Sequence, residues 1–343
     1  MKLEEVKGIL RQKRFYAALA ALIILFIMPL VTSRPFIMDI FIMTFLWAFL
    51  AEAWNVLGGY VGQFSLGPSA FFGIGAYTSS LLFIWLGVPP LLGMVVGAIL
   101  SSGVALVISY PSFRLRGHYF VLITLAFAEI LRIAFLNWRL VGGAYGVWMP
   151  VIHPDSLYNF QFHATKAPYY HIVLISLLLE LILVYKIEKS KIGYYFEAIR
   201  EDEDAAEALG ISATKYKLIA AVISSALFAI GGTFFAQYVL IIRAPDIMTL
   251  DRTLSIVFPA IIGGMGTTLG PILGSFILTP VDYMIRATLG GLYRGVHMIL
   301  EGAFLMVIVI IMPSGIMGLV KRKTYARKAA KTLRIRLEKG VTG

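Results

Sequence analysis

Residues 215–242 read KYKLIAAVISSALFAIGGTFFAQYVLII, and this stretch decides the fold class. After Lys217 it contains no Asp, Glu, Lys or Arg for the rest of its length. A helix that spans the hydrocarbon core of a membrane needs about 20 consecutive apolar residues. The stretch therefore predicts a transmembrane helix, and much of the remaining chain has the same character.

The composition extends this prediction to the whole protein. Of the 343 residues, 59% are hydrophobic and 14% are charged, and the mean hydropathy is +0.83. Soluble domains average roughly 45–50% apolar and 25% charged residues. A soluble protein of this length needs a charged surface, so the excess apolar surface must face lipid. The predicted fold class is an all-α, polytopic transmembrane helical bundle that has no soluble domain able to work alone.

Ten apolar stretches are predicted to enter the membrane. The eighth is short and begins with Asp251 and Arg252, so it is a candidate half-span or re-entrant segment. Eight crossings remain if two of the stretches are re-entrant. The stretches are 15–33, 36–58, 69–86, 90–110, 118–136, 168–187, 215–242, 251–264, 268–288 and 296–313.

The net charge of +11 is concentrated at the chain ends and in short loops, as the positive-inside rule expects, and this disfavours a nucleic-acid partner. Residues 1–14 are predicted to be a basic cytoplasmic N-terminus and 321–343 a basic cytoplasmic tail. Between them, 15–320 form the transmembrane domain, whose charged loop at 188–214 also faces the cytoplasm. The aromatic, nearly uncharged stretch 137–167 is expected outside. The N-terminus has no small-residue cleavage site after a short apolar stretch, so it predicts an uncleaved first span.

Two glycine-rich stretches resemble each other, GGYVGQFSLGP at 58–68 and GGMGTTLGP at 263–271. Either can break a helix so that backbone approaches a transport pathway, an arrangement common in the repeats of transporters. The alternative is that small residues simply let helices pack closely. The similarity suggests two related halves with broken helices. Candidate pathway residues here are Gly58, Gly59, Gly263 and Gly264.

The loop KIGYYFEAIREDEDAAEALGISATKYK at 191–217 is the most informative stretch outside the spans. Its helix-forming residues predict one short helix from Tyr195 to Leu209, which Gly210 ends, and Ser212 can cap the next helix. An acidic helix with a small apolar ridge suits docking into a groove on a cytosolic partner. The alternative is a solvated connector. The ridge consists of Ile199, Ala206 and Leu209.

Ionisable residues inside spans are rare and frequently functional. Glu52 and Asn55 in the second span form a candidate pair for a zwitterionic substrate. Glu129 and Arg132 share a helix face and either line the pathway or form a structural pair near the membrane surface. The sequence lacks a GxSxG nucleophile setting, a GxxxxGK[ST] phosphate loop and any cysteine, so no catalytic residue, metal site or bound cofactor is expected.

Several motifs, in order, resemble those of branched-chain amino acid ABC-transporter permeases. The loop contains AIRED at 198–202 and AAEALGI at 205–211, like the AIRED–AAEALGI loop of that family. FRLRGHYFVLITLAFAEILR at 113–132 is similar to the family's LRLRGDYFAIVTLGFGEIVR, and its RLRG element is typical of the LivM-type subunit. Further matches are FSLGPSAFFGIGAY (64–77) to LSLGHAAFFGIGAY, VGGAYGVWMP (141–150) to TGGxNGI–xP, IIGGMGTTLGPILGS (261–275) to GGxGSxxGPxxG, and MPSGIMGLV (312–320) to RPxGLxGL.

The resemblance covers about residues 40–320 and implies a permease subunit of the cell membrane that works by alternating access. It implies four partners: a second, LivH-type permease subunit, two cytosolic ATP-binding subunits and an extracytoplasmic substrate-binding protein. ATP hydrolysis would belong to the ATP-binding subunits, since the permease itself does no covalent chemistry. The residues implied to couple to the ATPase are Ala198, Ile199, Arg200, Glu201, Asp202, Ala205, Ala206, Glu207, Leu209 and Gly210.

The substrate stays open because the sequence departs from the family pattern. Pro68 replaces the family's His, His118 replaces an acidic residue, and Tyr194 and Tyr195 replace a basic and a small residue. Branched-chain or related amino acids are the leading substrates, and urea or short amides the alternative within the family. In a different class, a secondary carrier would work alone with Glu52 and Glu129 relaying protons, which leaves the acidic loop helix unexplained. A membrane enzyme is disfavoured because no catalytic constellation is present.

Overall fold

The structure is a computed structural model that describes residues 22–32, 34–115, 117–152, 155–289 and 315–318, with six further residues at 16, 20, 302, 303, 306 and 310. The predicted cytoplasmic segments 1–14 and 321–343 and the tenth predicted span, 296–313, therefore lie wholly or mostly outside the described residues. The orientation of the two chain ends stays a prediction.

Helices make up almost all of the described chain. Three of them, α2, α3 and α4, begin with proline, whose missing N–H costs nothing in the first helical turn. The helices are α1 (Leu22–Val31), α2 (Pro35–Asn55, continued by a π-helix Val56–Tyr60), α3 (Pro68–Leu86), α4 (Pro90–Ser112), α5 (His118–Asn137), α6 (Ala167–Glu188), α7 (Lys191–Glu201), α8 (Glu203–Ala208), α9 (Ala213–Val239), α10 (Ala244–Ile247), α11 (Leu250–Gly263) and α12 (Gly270–Leu289). Two 3-10 turns, Arg139–Val141 and Gly143–Tyr145, and two short strands, β1 (Val147–Trp148) and β2 (Ile241–Ile242), complete the elements.

Six helices of the described chain are long and apolar enough to cross a membrane: α2 with its π-helix, α3, α4, α5, α6 and α9. They correspond to six of the predicted spans, so the all-α membrane fold is confirmed, while a total of about ten crossings stays a prediction. The short eighth stretch forms α11, whose 14 residues extend about 21 Å and cannot cross a hydrocarbon core of about 30 Å.

Helix α9 packs against α3 and α4, while α2 packs against α6, α11 and α12, and α2 and α9 also contact each other. Small residues permit the close contact of α3 with α9, since a Cβ added at Gly232 would lie 2.0 Å from the carbonyl oxygen of Phe72. In the most apolar 18-residue stretch of α9, 67% is buried within the protein, against 17% in the corresponding stretch of α5. The apolar outer faces of α4 and α5 are thus the surfaces left for lipid or another subunit.

The loop between α5 and α6 is tied to the end of α9. Val147 pairs with Ile242 and Trp148 with Ile241 in a two-stranded antiparallel ladder. The Gln161 side chain donates to the Pro150 carbonyl at 2.9 Å and accepts from the Ile152 amide at 3.0 Å, which closes the loop on itself.

The predicted single helix from Tyr195 to Leu209 is wrong, because the structure has two helices, α7 and α8, that meet at Asp202. The backbone of Asp202 is extended, and its Oδ1 accepts a hydrogen bond from the Ala205 amide at 2.9 Å. Asp202 therefore ends one helix and caps the next. Gly210 follows α8 with a φ of +87°, which confirms its terminating role. Ser212 precedes α9 as predicted, but its side chain makes no capping hydrogen bond.

Candidate functional site: a polar junction between two helix breaks

Both glycine-rich stretches interrupt helices. The first break follows the π-helix Val56–Tyr60 and runs without helical structure to Gly67. It is closed by two hydrogen bonds, from the Trp54 indole Nε1 to the Ser65 carbonyl at 2.9 Å and from the Gln63 amide to the Leu57 carbonyl at 3.0 Å. π-Turns in helices occur frequently at functional sites.

The second break separates α11 from α12. Gly264 and Gly266 adopt φ values of +118° and +68°, which glycine reaches at little cost. The Thr267 hydroxyl donates to the Gly264 carbonyl at 2.7 Å. A Cβ added at Gly263 would lie 1.7 Å from the Gly270 carbonyl oxygen, so the two ends of the break are in direct backbone contact. Close backbone approach thus explains Gly263 and the positive φ explains Gly264, and their predicted place in the pathway stays a prediction.

Asn55 joins the two breaks. Its Oδ1 accepts from the Gly266 amide at 2.8 Å, and its Nδ2 donates to the Thr267 carbonyl at 3.1 Å and to Glu52 Oε2 at 3.3 Å. The side chain is fully buried, and its polar groups all bond to the protein. Gly59 makes this approach possible, since a Cβ there would lie 1.8 Å from Asn55 Oδ1 and 2.5 Å from the Gly266 amide nitrogen.

A second contact between the breaks runs through the end of α6. The Thr268 hydroxyl donates to Glu188 Oε2 at 2.7 Å and lies 3.1 Å from the Tyr60 hydroxyl. Lys189 donates to the other carboxylate oxygen of Glu188 at 2.8 Å, and this hydrogen bond raises the pKa of the Lys189 ammonium above its ordinary value. We use the name polar junction for the set Glu52, Asn55, Tyr60, Glu188, Arg200, Thr267 and Thr268.

Arg200 brings the loop after α6 into the polar junction. It lies in the last turn of α7, and its Nη1 donates to the Gly59 carbonyl at 3.3 Å. We call residues 191–212 the α7–α8 segment. This segment therefore contacts the helix breaks directly.

The α7–α8 segment is fixed to the bundle by an ion pair with a buried lysine. Lys217, in the second turn of α9, has a 2% exposed side chain whose Nζ lies 2.6 Å from Glu203 Oε2 and 5.9 Å from the Phe113 ring centre. Sequence analysis missed this residue as a site, although a lysine inside an apolar span is a signal of function or pairing.

The predicted docking ridge is wrong in part. Ile199 and Ala206 are buried within this chain, in one cluster with Val56, Phe196 and Ala213. Of the three ridge residues, only Leu209 is exposed to solvent, at 82%. The outer face of the segment is acidic instead. Its exposed carboxylates are Glu197, Glu201, Asp202, Asp204 and Glu207. The predicted coupling role of these residues, and of Ala198, Ala205 and Gly210, stays a prediction.

Glu180 and Glu52, a member of the polar junction, are both buried, and we call them the buried carboxyl pair. Asp39 contacts Lys166, and Tyr60 contacts Glu188. The partners are 127 and 128 residues apart in the sequence, and this nearly constant separation shows that α2 and α6 run parallel. Glu180 follows Glu52 at the same offset, so both lie at one level. Glu52 Oε1 and both Glu180 oxygens have no hydrogen-bond partner among the described residues. Sequence analysis missed Glu180, although an isolated carboxyl within the stretch 168–187 was the signal to use.

Glu129 lies away from this arrangement. On α5, its Oε2 accepts a hydrogen bond from Arg132 Nε at 2.9 Å, and its side chain is 49% exposed. The predicted pairing of the two residues is confirmed, and the structure does not place Glu129 beside Glu52. Across the described part of the chain, no three His, Cys, Asp or Glu residues are grouped so that they could hold a metal ion.

A small cavity lies next to the first break, between α2, α4, α5 and α9. Its volume of about 20 Å³ holds about one or two water molecules. Aromatic rings and hydroxyl groups line it, among them Trp54, Ser65, Phe120, Thr124 and Ser224. Sequence analysis did not identify this cavity, because its walls come from distant parts of the chain.

The sequence profile of one family matches residues 36–312, and that family is described as the branched-chain amino acid transport system permease component. The chain belongs to this permease family. The match contains both helix breaks and the whole α7–α8 segment. The resemblance inferred from the motifs is therefore confirmed.

This permease is similar to LivM-type members in particular. It is 28% identical over 334 residues to the high-affinity branched-chain amino acid transport system permease protein LivM of Salmonella typhimurium, covering 91% of this chain and 76% of that protein. It is 26% identical to LivM of Escherichia coli, covering 93% and 78%. LivH of Salmonella typhimurium is 25% identical, covering 79% and 91%. No solved structure matches the permease significantly.

Proposed function

We propose that this permease is the LivM-type membrane-spanning subunit of an ATP-driven importer that translocates branched-chain or related amino acids by alternating access. The observation that carries the proposal is the direct contact of the α7–α8 segment with both helix breaks. A loop that a cytosolic ATPase could move is thereby joined to the non-helical backbone that can open or close a pathway. The LivM and LivH relatives support the amino-acid substrate.

The proposed partners follow from the surfaces of the chain. Two cytosolic ATP-binding subunits would supply hydrolysis, since this sequence has no phosphate loop. One of them would receive Leu209 and the carboxylates around it. The apolar faces of α4 and α5 would meet lipid and a LivH-type second subunit. The loop 137–167 would receive the extracytoplasmic binding protein, which places the complex in the cell membrane.

The pathway is proposed to run beside the buried carboxyl pair. A carboxyl group buried without partners is costly, and such residues in spans commonly serve transport. Glu52 keeps its proposed place in the pathway and Glu180 joins it. Asn55, Gly58 and Gly59 would act on the pathway indirectly, because they fix the backbone of the first break and its contact with the second.

The test is reconstitution of the complete importer in vesicles. Uptake of labelled leucine that requires ATP, both ATP-binding subunits and the binding protein is the expected result. Uptake by this chain alone on an ion gradient would contradict the proposal in favour of a secondary carrier. ATP-dependent uptake of urea with none of leucine would contradict the substrate.

Docking is tested on the exposed apolar tip of the α7–α8 segment. Leu209→Asp is expected to abolish co-purification of the ATP-binding subunits, because it places a charge where apolar contact is proposed. Leu140→Asp is the matched control, since Leu140 is a leucine of 68% exposure in the loop between α5 and α6. Equal co-purification of the two variants would contradict docking at this segment.

A further inference from the structure

Arg200 is the charged side chain of α7 that turns toward the helix breaks. Its Nη1 donates at 3.3 Å to the carbonyl of Gly59, in the π-helix that leads into the first break. A Cβ added at Gly62 would lie 2.8 Å from Arg200 Cγ, and one added at Gly266 would lie 2.5 Å from Arg200 Nη1. Arg200 therefore packs against one glycine of each break, Gly62 and Gly266.

The carboxylates next to Arg200 pair with it on the side that faces solvent. Arg200 Nη2 lies 2.9 Å from Glu201 Oε1 and 3.8 Å from Glu197 Oε1. The side chains of Glu201 and Glu197 are 71% and 65% exposed, against 31% for Arg200. The guanidinium of Arg200 therefore lies between these two exposed carboxylates and the Gly59 carbonyl.

We propose that Arg200 is a positioning residue that transmits movement of the α7–α8 segment to both helix breaks. This inference rests on the proposed function, in which an ATPase moves that segment. The planar guanidinium holds several donors in a fixed geometry, so it can keep contact with a carbonyl and two flanking glycines at once. Because Asn55 joins the two breaks, a displacement of Arg200 reaches them as one unit.

The first experiment compares Arg200→Met with Arg243→Met in the complete complex. Each substitution keeps the apolar stem and removes a guanidinium, and the ion pair of Arg243 with Asp246 lies outside both the polar junction and the α7–α8 segment. We expect both complexes to assemble and hydrolyse ATP, and uptake per ATP to fall about tenfold for Arg200→Met alone, within the range typical of coupling between sites.

Three outcomes separate the hypotheses. An unchanged uptake per ATP in Arg200→Met would overturn the transmission role. Loss of the ATP-binding subunits from Arg200→Met, but not from Arg243→Met, would also overturn it, because Arg200 would then be a docking residue and the proposed function would stand. Absence of ATP-dependent uptake by the wild-type complex would instead contradict the proposed function itself.

The second experiment does not depend on the stability of Arg200→Met. Gly266→Ala places a methyl group against Arg200 Nη1, whereas Gly87→Ala adds one at a similar φ, +65° against +68°, with no atom within 4 Å. We expect Gly266→Ala to reduce uptake per ATP and Gly87→Ala to leave it unchanged. Equal effects of the two variants would overturn the proposal, since backbone strain alone would then explain the loss.

A distance measurement tests the movement directly. The chain has no cysteines, so spin labels on Glu197→Cys and Met265→Cys report only the separation of α7 from the second break. We expect one narrow separation that ATP leaves unchanged, because the two parts move together. The Arg200→Met background is expected to broaden it when ATP binds. A separation that already changes with ATP in the otherwise wild-type chain would overturn the proposal.

Discussion

The two helix breaks differ in where their hydrogen-bond partners come from. At the first break, Trp54 bonds to Ser65 and Gln63 bonds to Leu57, and one further bond reaches α5, from the Leu66 amide to Thr124 Oγ1 at 3.0 Å. At the second break, the partners of Gly266 and Thr267 lie on Asn55, more than 200 residues earlier in the chain, and Thr268 bonds to Glu188.

The backbone of the second break thus depends on Asn55, a group distant in the sequence, while the first break has two bonds between its own neighbours. A turn whose bonds come from elsewhere changes when those groups move. We therefore expect the second break to respond more strongly than the first when Asn55 is changed. Cysteines at Gln63 and Met265 can report on the two breaks separately, since the chain has no other cysteine.

Gly59→Ala is expected to have the largest effect, because it disturbs both breaks together. The new methyl group would lie 1.8 Å from Asn55 Oδ1 and 2.5 Å from the Gly266 nitrogen. We expect a loss of about 3 kcal/mol or more in the free energy of unfolding, from overpacking and unpaired polar groups. Thermal melting of the detergent-purified protein measures it. Gly103→Ala, with nothing within 4 Å, is the control and should melt like wild type.

Asn55→Ala is expected to release the second break from the first. It leaves the Gly266 amide and the Thr267 carbonyl without partners, which costs about 2 kcal/mol. Labelling of a cysteine at position 265 should accelerate more than labelling at position 63. Asn137→Ala, which removes only a bond to the Ile133 carbonyl within α5, is the matched variant. Equal acceleration at positions 265 and 63 would show that the second break does not depend on Asn55 more than the first break does.

Trp54→Phe tests the first break by removing the indole bond to Ser65. We expect a loss of about 1.5 kcal/mol, from the unpaired carbonyl and the smaller ring, and faster labelling at position 63. Trp85→Phe, at an exposed position on α3, controls for the change of residue type. If labelling at 63 is unchanged, the first break does not depend on its own neighbours.

Thr268→Val is expected to have the smallest effect. It removes the bond to Glu188 and the contact with Tyr60, which costs about 1 kcal/mol. Labelling at position 265 should rise slightly, and labelling at 63 should not change. Thr288→Val, which loses only bonds to the Met284 and Ile285 carbonyls within α12, should leave both rates as in wild type.

The fold was largely predictable because membrane helices are specified locally. Long apolar runs and prolines at their starts place α2, α3 and α4 within one residue of the predicted beginnings. The division of the loop helix at Asp202 was not predictable from propensity, because helix formers occur on both sides of it. The cap and the buried pair of Glu203 with Lys217 depend on how α8 meets α9.

The candidate site was predictable in its residues but not in its geometry. The glycines and Asn55 were singled out from the sequence, yet the bond from Asn55 to Gly266 joins parts that only the tertiary fold brings together. Ile199 and Ala206 were assigned to a docking ridge from their helical spacing. That spacing is the same whether the residues face a partner or the rest of this chain. Their burial depends on packing that the sequence pattern does not contain.

Helix α9 gives the molecule the geometry of a lever. It starts directly after the α7–α8 segment and ends beside β2, which pairs with the loop between α5 and α6. Its 27 residues make a rod of about 40 Å, so a tilt of about 5° displaces one end by about 3.5 Å relative to the other. Binding of a protein at one end of α9 would therefore displace the other end through the helix itself, without a series of side-chain contacts between them.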